Sequence, residues 1–196
     1  MLNFKPFRPF AVLAVLAFTG AFAGSAAKAA DKPVVVIETS LGNITVELEA
    51  DRAPKTVENF LKYVDKEFYN GTVFHRVMSN FMIQGGGMKP DLSEKPVRAP
   101  ITLESGNGLN NLRGTVAMAR TPAPNSATSQ FFVNVVDNAF LDKANSRDGN
   151  GYAVFGKVVE GMDVVDKIKS VPVKNAGPFQ NVPVTPVIIK KASLEK

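Results

Sequence analysis

Apolar and polar positions alternate with a period of two along much of this chain. Ile44, Val46 and Leu48 interleave with Thr45, Glu47 and Glu49, the pattern of a strand with one buried face. Val34–Ile37 ahead of it is β-branched throughout, and Leu41-Gly42-Asn43 supplies a turn, so the two segments predict a hairpin. The period lengthens after Asp51-Arg52-Ala53-Pro54. Val57, Phe60, Leu61 and Val64 fall at i, i+3, i+4 and i+7, one apolar stripe of a helix whose first turn accommodates Pro54. A second helix is predicted over Met162–Lys169, with Val164, Val165 and Ile168 inward. Strand-like runs at Val73–Met78, Phe81–Gly85, Val116–Ala119, Phe131–Val135, Ala153–Val159 and Val184–Ala192 bring the expected strands to eight. Eight antiparallel strands commonly remove their edges by closing into a barrel, and a sandwich is the competing architecture. Residues 88–111, with Pro90, Pro96 and Pro100, follow neither period. A loop this long in a compact domain is usually functional or disordered.

Composition narrows the chemistry. Of 196 residues 45% are hydrophobic and 21% charged, enough for one packed domain and too apolar for a disordered chain. The absence of cysteine excludes a disulfide scaffold, thiolate zinc, an iron–sulfur cluster and a thiol nucleophile. His75, the single histidine, leaves little for a His-rich metal site or a histidine triad. The formal charge of +5 invites a nucleic-acid reading, but much of the excess sits at the N-terminus. Lys5 and Arg8 precede an apolar run, Phe10 to Ala23, which ends at the small residues Ser25-Ala26-Ala27-Lys28-Ala29. That succession is a secretory signal peptide over 1–29, leaving a domain of 30–196. The run is shorter than the ~18–20 apolar residues of a bilayer span, so no stable membrane insertion is expected. Removing 1–29 takes away Lys5, Arg8 and Lys28 and no acid, lowering the charge to +2. No basic cluster remains to neutralise a row of phosphates, and nucleic acid is not an expected partner. A cysteine-free exported chain fits an oxidising compartment such as a bacterial periplasm. In a eukaryotic secretory pathway, Asn43-Ile44-Thr45 and Asn70-Gly71-Thr72 would instead accept glycans.

Generic catalytic patterns are missing. Gly85-Gly86-Gly87 lacks the Lys-Ser/Thr of a phosphate loop, the Gly106/Gly108 pair lacks a third glycine, and no serine sits in G-x-S-x-G. Glu47 and Glu49 share a strand face and read as a solvated surface before they read as a hydrolytic pair. His75 reads as a hydrogen-bonded structural histidine, since no further metal ligands accompany it.

Specific resemblance lies in the middle of the chain. Phe74-His75-Arg76-Val77 followed by Phe81-Met82-Ile83-Gln84-Gly85-Gly86 resembles the signature of the cyclophilin-type peptidyl-prolyl cis–trans isomerases. Gly114–Ala119, Asn125–Phe132, Phe140-Leu141-Asp142, Tyr152–Val158 and the opening helix Ala53–Phe60 match in the family's order. The likeness spans 34–192, and the short form with an export signal is most similar to the bacterial periplasmic members. It implies a closed eight-stranded antiparallel barrel capped by two α-helices, with the site on an outer face. It also implies a monomer that needs no cofactor or metal and acts on proline-containing peptides and unfolded exported proteins.

Twisting an X–Pro bond destroys amide resonance over a barrier of ~18–20 kcal/mol. Reaching ~10³ s⁻¹ requires removing roughly 7 kcal/mol, with no bond broken and no proton moved. Such a catalyst needs only a site that fits the twisted amide better than either planar form. Under the resemblance Arg76, Phe81 and Gln84 are the catalytic residues. Arg76 donates a hydrogen bond to the proline nitrogen, which regains a lone pair only when the bond is twisted. On its strand Arg76 is expected to share a face with Phe74 and Met78. Phe81, Met82, Phe132 and Leu141 would hold the proline ring, and Gln84 the substrate carbonyl. On pattern alone these apolar residues would be ordinary core. Ala119 and the backbone of Arg120 would line the groove ahead of the proline, and Phe140 and Tyr152 would complete the binding residues. The sequence departs from the best-known eukaryotic members in having Phe140 for a tryptophan and Tyr152 for a histidine, with Lys143–Gly151 as an insertion. Arg120 stands where many members have asparagine, an extra positive charge expected to bias the residues preceding proline. A proline-binding holdase without turnover, and a structural subunit of an envelope assembly, are the other two readings.

Overall fold

The computed structural model describes residues 1–2 and 32–195. The chain divides into two units, Met1–Ala30 and Asp31–Lys196, and the second carries all the described strands and helices. The expected signal peptide, 1–29, falls almost wholly outside the described residues. No described helix is long and apolar enough to cross a membrane.

The second unit is mainly β. Strands β1 (Val34–Thr39), β2 (Gly42–Leu48), β3 (Phe74–Met78), β4 (Met82–Gly85), β5 (Thr115–Met118), β6 (Phe131–Asn134), β7 (Val154–Glu160) and β10 (Ile189–Leu194) form one antiparallel sheet in the order β10-β1-β2-β7-β5-β6-β4-β3. A separate hairpin pairs β8 (Val173–Ala176) with β9 (Phe179–Pro183). Helices α1 (Pro54–Asp65) and α2 (Met162–Lys169) complete the fold. All eight predicted sheet strands and both helices are present; the β8–β9 hairpin is additional.

The sheet curls into a half-barrel, and the expected full closure is not reached. β10 and β3 stay as edges, meeting at a single antiparallel bridge, Val73 to Ile188. The Phe74 N–H donates to Val187 O at 3.0 Å and the Ile189 N–H to Thr72 O at 2.8 Å. Pro186 lies just before this contact and has no N–H to give, so the ladder stops there. The same proline shortens the strand predicted over Val184–Ala192, which begins at Ile189.

The concave side holds the main core. Val35, Ile37, Ile44, Val46 and Leu48 point into it at strand period, and the predicted α1 stripe joins them through Val57, Phe60 and Val64. Phe60 meets Phe131 edge-on at 5.6 Å and Phe155 at 5.1 Å. Each such fully buried side chain contributes ~1.5–3 kcal/mol of transfer free energy. Helix α2 presses Val164 against the β1–β2 turn so closely that a Cβ on Gly42 would lie 2.7 Å from Val164 Cγ2. Only glycine fits there.

Residues 88–111 are a strap. Ala53 gives α1 no side-chain cap; the cap comes from Glu104. Its carboxylate accepts the Lys55 N–H at 3.1 Å, the Thr56 N–H at 2.8 Å and the Thr56 hydroxyl at 2.6 Å. That satisfies donors the helix start leaves open and sets a negative charge at its positive end. Earlier in the same segment, the Arg98 N–H donates to the Tyr63 hydroxyl at 2.8 Å, and Ile101 bridges Ala127.

Candidate active site

Register places the candidate residues in one row on the convex side. Arg76 on β3 lies opposite Gln84 on β4, Gln84 opposite Phe132 on β6, Phe132 opposite Ala117 on β5, and Ala117 opposite Val154 on β7. The row passes from a charge to an amide to an apolar floor. Met82 and Leu141 join Phe132, Ala117 and Val154 in a second, smaller apolar cluster, apart from the main core.

Arg76 does not share a face with Phe74, as strict alternation implied. The β3–β4 register advances two residues on β3, from Phe74 to Arg76, for one on β4, from Gly85 to Gln84. This bulge absorbs His75 and reverses the facing of everything after it. Phe74 therefore packs edge-on against Phe131 in the main core, while Arg76 and Met78 face outward. The bulge aims the guanidinium.

His75 itself lies away from the row, 5% exposed, in a separate cavity of about 180 Å³ shared with Asp91, Lys174 and Val182. Its Nδ1 has no hydrogen-bond partner among the described residues, so the hydrogen bonding expected of this structural histidine does not extend to that nitrogen. Burial pushes its pKa down to about 4, with the neighbouring Arg76 charge acting in the same direction and the Val73 backbone opposing them. The imidazole is neutral at pH 7. Glu47 pairs with Lys32 and Lys157, both at 3.3 Å, and Glu49 with Lys32 at 2.7 Å, so both acids are tied in surface ion pairs.

All ten residues expected from the sequence line a single cleft of about 380 Å³. Arg76 Nη1 donates to Gln84 Oε1 at 3.4 Å, and Gln84 Nε2 to Gln130 Oε1 at 2.9 Å. Gln130 is not among the ten, although it sits in the matched Asn125–Phe132 block. It occupies space that Gly87 leaves open: a Cβ there would lie 2.5 Å from Gln130 Cγ. One wall of the cleft is Phe81, half-buried, with its ring 5.5 Å from that of Phe140. Phe140 is 57% exposed and forms the rim. Opposite, Tyr152 meets Phe132 edge-on at 5.7 Å.

Three buried asparagines join these walls from behind. Asn138 Nδ2 donates to Phe81 O at 2.9 Å and Asn134 Oδ1 at 2.7 Å; Asn134 Nδ2 donates to Asn111 Oδ1 at 3.2 Å. Asn111 Nδ2 reaches Asp142, just past the 3-10 turn Ala139–Leu141 that carries Phe140 and Leu141. Buried amides satisfied in this way hold one arrangement, because any shift strands a desolvated polar group.

Arg120 is not the free positive charge expected. Its side chain is 2% exposed and its Nη2 donates to Asp148 Oδ2 at 2.5 Å. The pair neutralises locally, and the Asp148 carboxyl is held well below the usual carboxylate range, chiefly by this bond.

The model of the family "cyclophilin type peptidyl-prolyl cis-trans isomerase/CLD" matches residues 34–194. The chain is 52% identical over 180 residues to peptidyl-prolyl cis-trans isomerase A of Dickeya dadantii, covering 92% of this chain and 91% of that one. It is also 52% identical over 164 residues to isomerase B of Escherichia coli, covering 83% and 100%. A crystal structure of a Cryptosporidium parvum cyclophilin in the presence of the dipeptide Ala-Pro superposes with a TM-score of 0.69 at 25% identity, covering 83% of this chain and 99% of that one. The chain belongs to the cyclophilin-type peptidyl-prolyl cis–trans isomerases, enzymes that rotate the X–Pro bond without a covalent intermediate.

Proposed function

We propose that this isomerase is exported through removal of residues 1–29 and works as a periplasmic monomer on proline-containing segments of unfolded exported proteins. The proline ring enters between Phe81, Met82, Phe132 and Leu141, where water is excluded and the planar amide loses part of the hydration that favours it. Gln84 and the groove at Ala119 and Arg120 hold the chain ahead of the proline, so that rotation is confined to one side of the bond. As the amide twists, its nitrogen becomes pyramidal and gains a lone pair. Arg76, permanently charged and rigid in its fork, donates to it. The planar amide offers no such acceptor, so the bond forms mainly in the transition state and lowers the barrier. The observation that carries this reading is the Arg76–Gln84–Phe132 row, a charged donor and an amide set side by side at the edge of an apolar floor. The Ala-Pro dipeptide present with the C. parvum cyclophilin supports the substrate class.

A protease-coupled proline-peptide assay on residues 30–196 tests it. Arg76→Ala is expected to lower kcat/KM by about 10²–10³, the usual cost of removing a transition-state donor, with peptide affinity nearly unchanged. Arg76→Lys should also be poor, since a point charge does not reproduce the fork. EDTA should leave the rate as it is. Equal losses in binding and turnover would make Arg76 an anchor for the ground state. Fractionation of expressing cells tests the location: a shortened chain released with the periplasm is expected, and an uncleaved chain in the cytoplasm overturns export.

A further inference from the structure

We propose that Arg120 and Asp148 form a positioning clamp that sets the Tyr152 wall of the cleft, so that the Lys143–Gly151 insertion serves substrate binding without touching substrate. This rests on the isomerase reading above.

Arg120 directs its donors inward. Nε donates to Gly151 O at 2.8 Å, Nη1 to Thr121 O at 3.1 Å and Pro122 O at 3.4 Å, and Nη2 to Asp148. Its Cζ lies 4.6 Å from the centre of the Tyr152 ring. The guanidinium thus ties three carbonyls on two stretches of backbone, Thr121-Pro122 and Gly151, to one aromatic face, a task that requires a planar fork. Asp148 is organised in turn. Its Oδ1 accepts the Asn150 N–H at 3.0 Å and the Gly151 N–H at 3.4 Å, closing the insertion into a tight turn.

The turn then passes its position to the cleft. Gly151 has φ +64°, and a Cβ there would lie 2.6 Å from Lys143 N, so the backbone is drawn against the start of its own loop. The next residue, Tyr152, donates its N–H to Leu141 O at 2.9 Å, locking the Tyr152 wall to the segment carrying Leu141 and Phe140. Ser105, on the strap, donates its hydroxyl to Asn150 O. An insertion held from both sides, by Ser105 on the strap and by Arg120 through Asp148 and Gly151, has the build of a brace. Reading substrate charge would require an exposed guanidinium, which Arg120 is not.

The test is kinetic, on Arg120→Lys, Asp148→Ala and the double variant, with peptides carrying Glu, Ala or Lys before proline. Arg120→Lys keeps the charge and loses the fork. The clamp predicts that its KM rises about ten-fold, the loss of roughly one charge-assisted hydrogen bond of ordering, by the same factor for all three peptides. kcat should stay within about two-fold, because Arg76 and the twisted amide are untouched. Asp148→Ala should do the same, and the double variant should be no worse than either single, since both remove one unit. Hydrogen exchange at the Gly151 and Tyr152 amides should accelerate in each. A KM change confined to the Glu peptide would overturn the clamp and make Arg120 a reader of substrate charge. A lower melting temperature with unchanged KM would also overturn it, leaving the pair merely structural. If the wild-type chain shows no turnover while the variants still lose peptide affinity in calorimetry, the isomerase reading fails and the clamp survives.

Discussion

Phe131 and Phe132 are consecutive in one strand and both at least 96% buried, yet they do different work. Phe131 faces the concave core, ringed by Phe60, Tyr69 and Phe74. Phe132 faces the convex side, where its neighbours are Met82, Leu141 and the edge of Tyr152, and where the apolar surface runs out at Arg76 and Gln84. A strand covered on both faces reads as an unbroken apolar run, which is why β6 shows no alternation in burial. The difference is one of completion. The concave cluster is sealed by two helices, whereas the convex cluster is left open along one side, and that unfinished side is the cleft.

The comparison breaks most visibly under truncation. Phe131→Ala should cost ~3–5 kcal/mol, enough to lower the denaturant midpoint sharply or to prevent folding. Phe132→Ala should cost less than half of that in the same titration. Its kcat/KM should nonetheless fall about 10- to 100-fold, the worth of one buried ring in the site. Equal stability losses with intact turnover in Phe132→Ala would erase the distinction between the two faces.

Acidity should separate the faces next. The unfolded chain takes up a proton on His75 near 6.5, and the folded chain refuses it until about 4. Stability from this group is therefore whole above pH 6.5, declines as pH falls toward 4 by up to ~3 kcal/mol, and is constant below. His75→Gln should flatten that decline in urea melts taken at successive pH values. Turnover of the folded enzyme should stay level over the same range, since His75 lines a cavity separate from the cleft. An activity profile that tracked the His75 proton would place that residue in the mechanism.

The smallest effect concerns the rim. The resemblance implies that in the eukaryotic members the tryptophan at the Phe140 position donates its indole N–H to a cyclic peptide inhibitor, cyclosporin. Phenylalanine keeps the apolar surface and has no donor, leaving a ligand carbonyl unpaired at a cost of ~1–3 kcal/mol, about five- to 150-fold in affinity. Phe140→Trp should recover that factor in calorimetry while turnover changes only a few-fold. Wild-type affinity already equal to the variant's would remove the missing donor from the explanation.

What the chain disclosed in advance was whatever depends on near neighbours. The alternation of Ile44, Val46 and Leu48, the Val57–Val64 stripe and Pro54 at a helix start all describe local geometry, and all are present. The ten cleft residues were found through ordered family motifs; hydrophobicity alone would have assigned Phe81, Met82 and Phe132 to the core. Features made by distant partners stayed hidden. Glu104 caps a helix 48 residues away, and Arg120 meets Asp148 28 residues on. The β8–β9 hairpin starts with Val173-Lys174-Asn175-Ala176, mostly exposed and with no periodic apolar face to betray it. The bulge at His75 escaped because one inserted residue changes facing without altering composition.

The unclosed seam between β3 and β10 has its own consequence for an enzyme that handles extended polypeptide. An open sheet border is a template on which another chain can add itself as a further strand, a route to capture and aggregation. Here the two borders occupy each other through the Val73–Ile188 bridge, and the Asn70 side chain takes the Ala192 N–H at 3.2 Å. Lys190 and Lys191 stand exposed along β10, where a recruited strand would have to bury their charges. An extended polypeptide thus finds little main chain to pair with along this seam.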